Sequence, residues 1–243
     1  QYYKTIKSKT NLRRHSVFTP KAKPDHIRSI KGVRFYTKVS HYCNNLILGG
    51  HTDWRLPDIK ELSTLVDSSI PWPGPTINTS YFPDTVAQTY WSSTTVAYPS
   101  DFAWTEDFDY GFVYYSKKTT YQYVRAVRGG QLSNSFLDNG DGTISDTSTG
   151  LMWQKATAPD TYIWEQALTY CENLNLGGHT DWRLPNRNEL HSIVDYSRYN
   201  PAIDTTYFPD TVAGYYWSST ANAYYFSQRV VRGLLRRHRG LHQ

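Results

Sequence analysis

Ten consecutive residues, LGGHTDWRLP, fill Leu48 to Pro57 and recur letter for letter at Leu176 to Pro185, 128 positions later. Tyr81 to Ala87 (YFPDTVA) returns as Tyr207 to Ala213, and Tyr90 to Thr94 (YWSST) as Tyr216 to Thr220. A period near 126 to 128 residues is too long for a solenoid unit and suits a whole domain. The chain has 243 residues, enough for two modest cores. The fold must therefore be one that the same element order can build twice.

That order is readable in both copies. Phe35, Val39, Tyr42, Cys43 and Leu46 fall at helical steps of three and four, and Gly49 and Gly50 stop the helix. Copy two has Trp164, Ala167, Leu168, Cys171 and Leu174, stopped by Gly177 and Gly178. Pro57 makes Leu56 extended. Asp58 then precedes Glu61, and Asn186 precedes Glu189, each a capping box opening a second helix. Short strands follow: Tyr90 to Thr94, Phe102 to Glu106, Gly111 to Tyr115 and Tyr121 to Arg128. The expected class is α+β, each copy running helix, glycine stop, short extended link and second helix, then short strands.

The copies are not equal. Copy two opens with Phe136 to Ile144, where Asn139-Gly140 and Asp141-Gly142 signal a hairpin, and copy one has no recognisable counterpart. From Trp91 to Arg125 is 34 residues, but from Trp217 to the matching Arg229 is 12. Copy two thus lacks two strands and is the less stable half unless copy one lends it strands. The expected segments are a basic, disordered arm over 1–28, a first domain over 29–130, a second over 131–233 and a basic tail over 234–243.

Charge is segregated. Residues 1–41 sum to +10, residues 42–227 to −10 and residues 228–243 to +5. The basic ends are either solvated tails or arms for an anionic polymer, with Arg232, Arg236, Arg237 and Arg239 as its contacts. No apolar run approaches the roughly 20 residues of a membrane span. The Lys-rich opening lacks the apolar run of a secretory leader, so compartment is not read from it.

DNGDGTISDTSTGLMWQK, a helix with a Cys, GGHTDWRLPNRNEL, YWSST and VRAVRG together resemble the bacterial DUF1566 family, also called the Lcl C-terminal domain family. The resemblance covers residues from about 40 to 130 and 134 to 233, with the arms outside it. It implies tandem C-type-lectin-like domains, two helices packed on small antiparallel sheets with long loops, in a secreted or surface-attached bacterial protein. It also implies adhesion, because the adhesin that names the family binds sulfated glycans. The family pairs its helix Cys with a second Cys in the final strand. Ala126 and Val230 stand there in this chain, so Cys43 and Cys171 are expected as buried free thiols.

Several constellations carry a functional and a structural reading side by side. Asp53-Trp54-Arg55 and Asp181-Trp182-Arg183 are either binding loops or core anchors with charges tied to nearby backbone. His51 with Asp53 and His179 with Asp181 give two ligands each, too few for a structural metal. Asp138, Asn139, Asp141 and Asp146 are oxygen donors that Ca²⁺ would accept, but their spacing is not an EF-hand and a hairpin turn also explains them. The EPN, QPD and WND triplets of calcium-dependent sugar lectins are absent. Trp72 in the loop PWPGP, with Trp104, Tyr110, Tyr114, Tyr115, Lys117 and Lys118, is the expected glycan-binding surface. Ordinary strand packing is the alternative.

The sequence contains no H-E-x-x-H, Gly-rich phosphate loop or G-x-S-x-G, and the expectation is a non-enzymatic binding protein. WRLPNRNEL resembles an element of the formylglycine-generating enzymes, which need a reactive cysteine pair near the domain's C-terminal end. Neither Cys43 nor Cys171 lies there.

Overall fold

The structure is a computed structural model and describes residues 34–131, 133–221 and 230–231. Copy one contributes α1 (Arg34–Asn44), β1 (Trp54–Arg55), α2 (Ile59–Ser63), β2 (Thr89–Thr95), β3 (Phe102–Asp107), β4 (Phe112–Lys117) and β5 (Val127–Arg128). Then come β6 (Phe136–Asp138), β7 (Thr143–Asp146), β8 (Leu151–Gln154), α3 (Trp164–Glu172), α4 (Arg187–Ile193), β9 (Tyr216–Trp217) and β10 (Val230–Val231). The protein is α+β. Its sheets are small and antiparallel: β2-β3-β4, β6-β7-β8, and the two-stranded β1-β5 and β9-β10.

Each second helix starts where its cap dictates. Asp58 Oδ1 accepts from the Glu61 amide, and Glu61 reaches back to the Asp58 amide at 2.8 Å. Asn186 and Glu189 repeat this in copy two. The same two glutamates also receive an arginine from the preceding link. Arg55 meets Glu61 with two nitrogens at 2.7 and 2.5 Å, and Arg183 meets Glu189 at 2.7 and 2.6 Å. The tryptophan between Asp and Arg turns its indole N–H to the carbonyl of Leu48 or Leu176. The glycine pairs do not stop the helices, which end at Asn44 and Glu172, but turn the chain between Leu48 and His51 and between Leu176 and His179. One tripeptide therefore ties this glycine turn, the link and the helix cap together, which is why the sequence repeats unchanged.

The Tyr121 to Arg128 stretch departs from the expected single strand. Tyr123 exchanges backbone hydrogen bonds with Thr89 and Trp91 of β2, and only Val127–Arg128 pairs with β1. One segment serves two partners and cannot stay straight for both. In the copy-two opening, Gly140 and Gly142 take positive φ, as the hairpin signal requires.

The missing strands leave a measurable trace. In copy one, Trp91 is fully buried in a core with Val39, Cys43, Leu56, Ala103 and Ala126. Ala103 lies on β3, which copy two has no sequence to build. The corresponding Trp217 and Trp182 are only half-buried, and Cys171 is half-buried where Cys43 is fully enclosed. The expectation of a buried thiol thus fits Cys43 and not Cys171.

Copy two instead packs on copy one. Ile59, Val96 and Trp104 share a core with Ile144, Ile193, Val194, Tyr196, Ala202, Ile203 and Phe208. The two copies thus meet through one continuous apolar cluster.

The Arg–Glu clasp makes a graded prediction. Glu61→Ala removes a helix cap and the counter-charge of Arg55, which is 23% exposed and keeps the Gly129 carbonyl, and is expected to cost about 1–3 kcal/mol in urea unfolding. Glu189→Ala is expected to cost less, because Arg183 is 57% exposed and water replaces its partner.

Candidate functional site

The expected glycan surface divides when it is placed on the strands. β3 and β4 pair with Trp104 opposite Tyr115 and Phe102 opposite Lys117. Alternation therefore puts Trp104, Tyr115 and Lys117 on one face and Tyr114 on the other. Trp104 is a correction to the sequence reading. It is 5% exposed and packs edge-on against Tyr196 of copy two at 5.1 Å, because this face of β3 is the floor of the shared core. Tyr115 lies edge-on against Trp104 and Phe102, and Lys117 sits over the Phe102 ring. Lys118 donates to Thr95 Oγ1 and the Ser100 carbonyl and stands over Tyr36.

Trp72 and Tyr110 remain together at the surface. Their rings are nearly parallel, 13° apart in plane and 6.4 Å between centroids, and both are exposed. Two chain segments fix this shelf. Gly74 passes so close to the carbonyls of Phe108 and Asp109 that a Cβ would meet the former at 2.5 Å. Thr76 donates to the Phe108 carbonyl through both its amide and its hydroxyl. The Pro-rich loop is thereby pinned to the β3–β4 turn.

The oxygen-rich opening of copy two is spent on turns. Asp138 pairs with Lys155 at 2.6 Å, Asp141 accepts from Thr143, and Asn139 bonds Thr143 and Ser145. Asp146 accepts from Asn134 and Ser148. Asp141 and Asn139 share Thr143, and Asp138 and Asp146 turn to other partners. Among the described residues no group of three or more His, Cys, Asp and Glu side chains gathers as metal ligands. Asp53 pairs with Arg128, which holds its carboxyl below the usual range, whereas Asp181 is exposed with His179 at 4.0 Å. Arg232, Arg236, Arg237 and Arg239 lie outside the described residues.

The polar junction between the copies was not anticipated. Glu106 of β3 is wholly buried. Its carboxylate accepts from Ser63 at 2.5 Å and faces Arg187 Nη2 at 3.3 Å. Burial raises the Glu106 pKa against the opposing pull of Arg187 and Ser63. His191, one turn after Arg187, is buried within 3.4 Å of the Tyr196 hydroxyl. Burial, Arg187 and Lys60 push its pKa well below the ordinary imidazole value, so it is neutral. A signal for this site did exist. Arg187 and His191 replace Ile59 and Ser63 of copy one, four residues apart on otherwise matching helices.

A cleft of about 550 Å³ opens beside this junction. Asp58, Lys60 and Thr94 line it from copy one, and Asp195, Asp204 and Tyr207 from copy two. Lys60 Nζ crosses the boundary to Asn134 Oδ1 at 2.6 Å and to the Ser192 carbonyl at 2.7 Å.

The fold and its junctions define a tandem α+β protein whose two diverged copies interlock. Its sequence matches the model of the Lcl C-terminal domain over residues 10–128 and 142–235, and the chain belongs to that family. The first match reaches back to residue 10, well into the stretch the sequence reading set apart as an arm outside the family. Comparison with curated proteins gave no match. Among the described residues no helix is long and apolar enough to cross a membrane.

Two predictions come from the junction. Arg187→Ala leaves Glu106 buried without its counter-charge and is expected to cost about 3–5 kcal/mol, measured by chemical unfolding. A depressed imidazole pKa stabilises the fold above the unfolded value of about 6.5 and withdraws that stability as pH falls below it. The difference in stability between the parent chain and His191→Phe should therefore fall below pH 6.5, by at most about 1.4 kcal/mol per pH unit.

Proposed function

We propose that this chain is a non-enzymatic binding protein of the bacterial exterior, secreted or surface-held, whose ligands are glycans and whose role is adhesion. Membership of the Lcl C-terminal domain family supports the setting. The C-type-lectin-like fold expected for that family agrees with helices on small antiparallel sheets. The observation that carries the proposal is the parallel, exposed pair Trp72 and Tyr110 on a loop pinned to the central sheet. Rings held in place lose little freedom when a sugar ring stacks on them. The surrounding body is acidic, so this shelf favours sugar rings without sulfate, and sulfated chains fall to the basic ends.

A second reading follows from those ends. Net charges of +10 and +5 flanking an acidic body would hold an anionic polymer without using the fold. A formylglycine-type oxidase has less support: burial pushes the Cys43 thiol up to about 12, and Cys171 is also raised, so neither is poised as a thiolate.

The test is glycan-array binding of the full chain and two variants. Trp72→Ala with Tyr110→Ala is expected to lower binding to unsulfated glycans at least tenfold. Alanines at Arg236, Arg237 and Arg239 should leave that binding intact and lower the salt needed to elute the chain from heparin. Unsulfated binding that survives loss of both rings refutes the shelf.

A further inference from the structure

We propose that the cleft between the two copies is a second ligand site, specific for an uncharged, hydroxyl-rich sugar unit. This deepens the glycan-binding reading and rests on it. The volume of about 550 Å³ falls within the roughly 300–1,000 Å³ of small-molecule sites. The cleft exists only where the copies meet, since α2, α4 and the linker before β6 each form part of its wall.

Its chemistry selects the ligand. Lys60 is largely buried, and its ammonium has three N–H donors, of which Asn134 and Ser192 take two. The third remains for a ligand oxygen. The Glu61 amide occupies Oδ1 of Asp58, and Arg198 and the Thr206 amide occupy Oδ1 of Asp204, leaving Oδ2 of each for a donor from outside. Arg198 also braces Asp195 at 2.9 Å, so the carboxylates are set before any ligand arrives. Three carboxylates against the Lys60 ammonium and the Arg198 guanidinium leave one negative charge in excess, which favours groups that donate hydrogen bonds and disfavours sulfate or phosphate. Phe136 and Tyr207, 5.4 Å apart, give the same wall an aromatic face for the C–H side of a sugar ring.

Copy two has no equivalent cleft chemistry, because Asn186 and Asn188 replace Asp58 and Lys60. The site is thus a product of divergence. A ligand bridging both walls would also hold the copies together.

The experiment uses the full chain with the methyl glycosides of glucose, galactose, mannose and N-acetylglucosamine, beside a sulfated disaccharide. Binding is read by NMR as transfer from sugar protons to the rings of the protein. At least one uncharged glycoside is expected to show contacts to Phe136 and Tyr207 in the unmodified chain, with none from the sulfated sugar. Ser133→Trp, which fills the cleft from the linker, is expected to weaken that binding at least tenfold with the melting temperature unchanged. Trp72→Ala should leave it intact. Contacts confined to Trp72 and Tyr110 overturn the cleft site and leave the shelf standing. Contacts at neither place overturn both, and a sulfated sugar seated against Tyr207 overturns the assignment of an uncharged ligand.

Discussion

Glu106 holds a carboxylate that solvent does not reach, and the union of the two copies depends on how it is satisfied. A lone buried carboxylate is costly, so the group needs donors from its surroundings. Ser63 supplies one from copy one, and Arg187 supplies the counter-charge from copy two. Apolar contacts alone would let the copies slide against each other. The buried pair fixes their register, because any displacement strands a charge. Trp104 against Tyr196 fills the space beside it.

This junction also resolves the deficit of copy two. A two-strand deletion removes the residue equivalent to Ala103 and leaves Trp217 and Trp182 partly open. The apolar side of α4 and the Ala202–Phe208 loop find their partners on β3 and α2 instead. Copy two therefore depends on the strands of copy one through their face, and not through pairing at their edge. The central sheet is shared by both copies: Ala103 points into copy one's core, and Trp104 and Glu106 point into the junction.

The local elements were legible because local chemistry dictates them. Asp58 with Glu61 and Asn186 with Glu189 mark helix starts through bonds that span three residues. Asn-Gly and Asp-Gly make the hairpin, whereas the glycine pairs turn the chain between Leu48 and His51 and between Leu176 and His179, past helices that have already ended at Asn44 and Glu172. The sequence tied Arg55 and Arg183 to nearby backbone, and Arg55 does reach the Gly129 carbonyl, but their bonds to Glu61 and Glu189 were not read from it. Trp104 was misplaced because β3 has two faces and the sequence does not say which one water touches. That answer lies some ninety residues away, at Tyr196. The change of partner between Tyr123 and Val127 was illegible for a similar reason: two distant strands share one segment.

Comparison of the copies carries information that neither copy holds alone. Where they agree, as in DWRLP, the residues answer to bonds within each unit, and identity follows from a shared geometric task. On the second helix, three of the differences answer to the other copy. Ile59 against Arg187, Ser63 against His191 and Lys60 against Asn188 all fall on the paired short helices, and all touch the junction or its cleft. Divergence at Ile59 and Arg187 puts in copy two the guanidinium that meets the Glu106 carboxylate of copy one, so the duplicated domain becomes one asymmetric body with a cleft of its own.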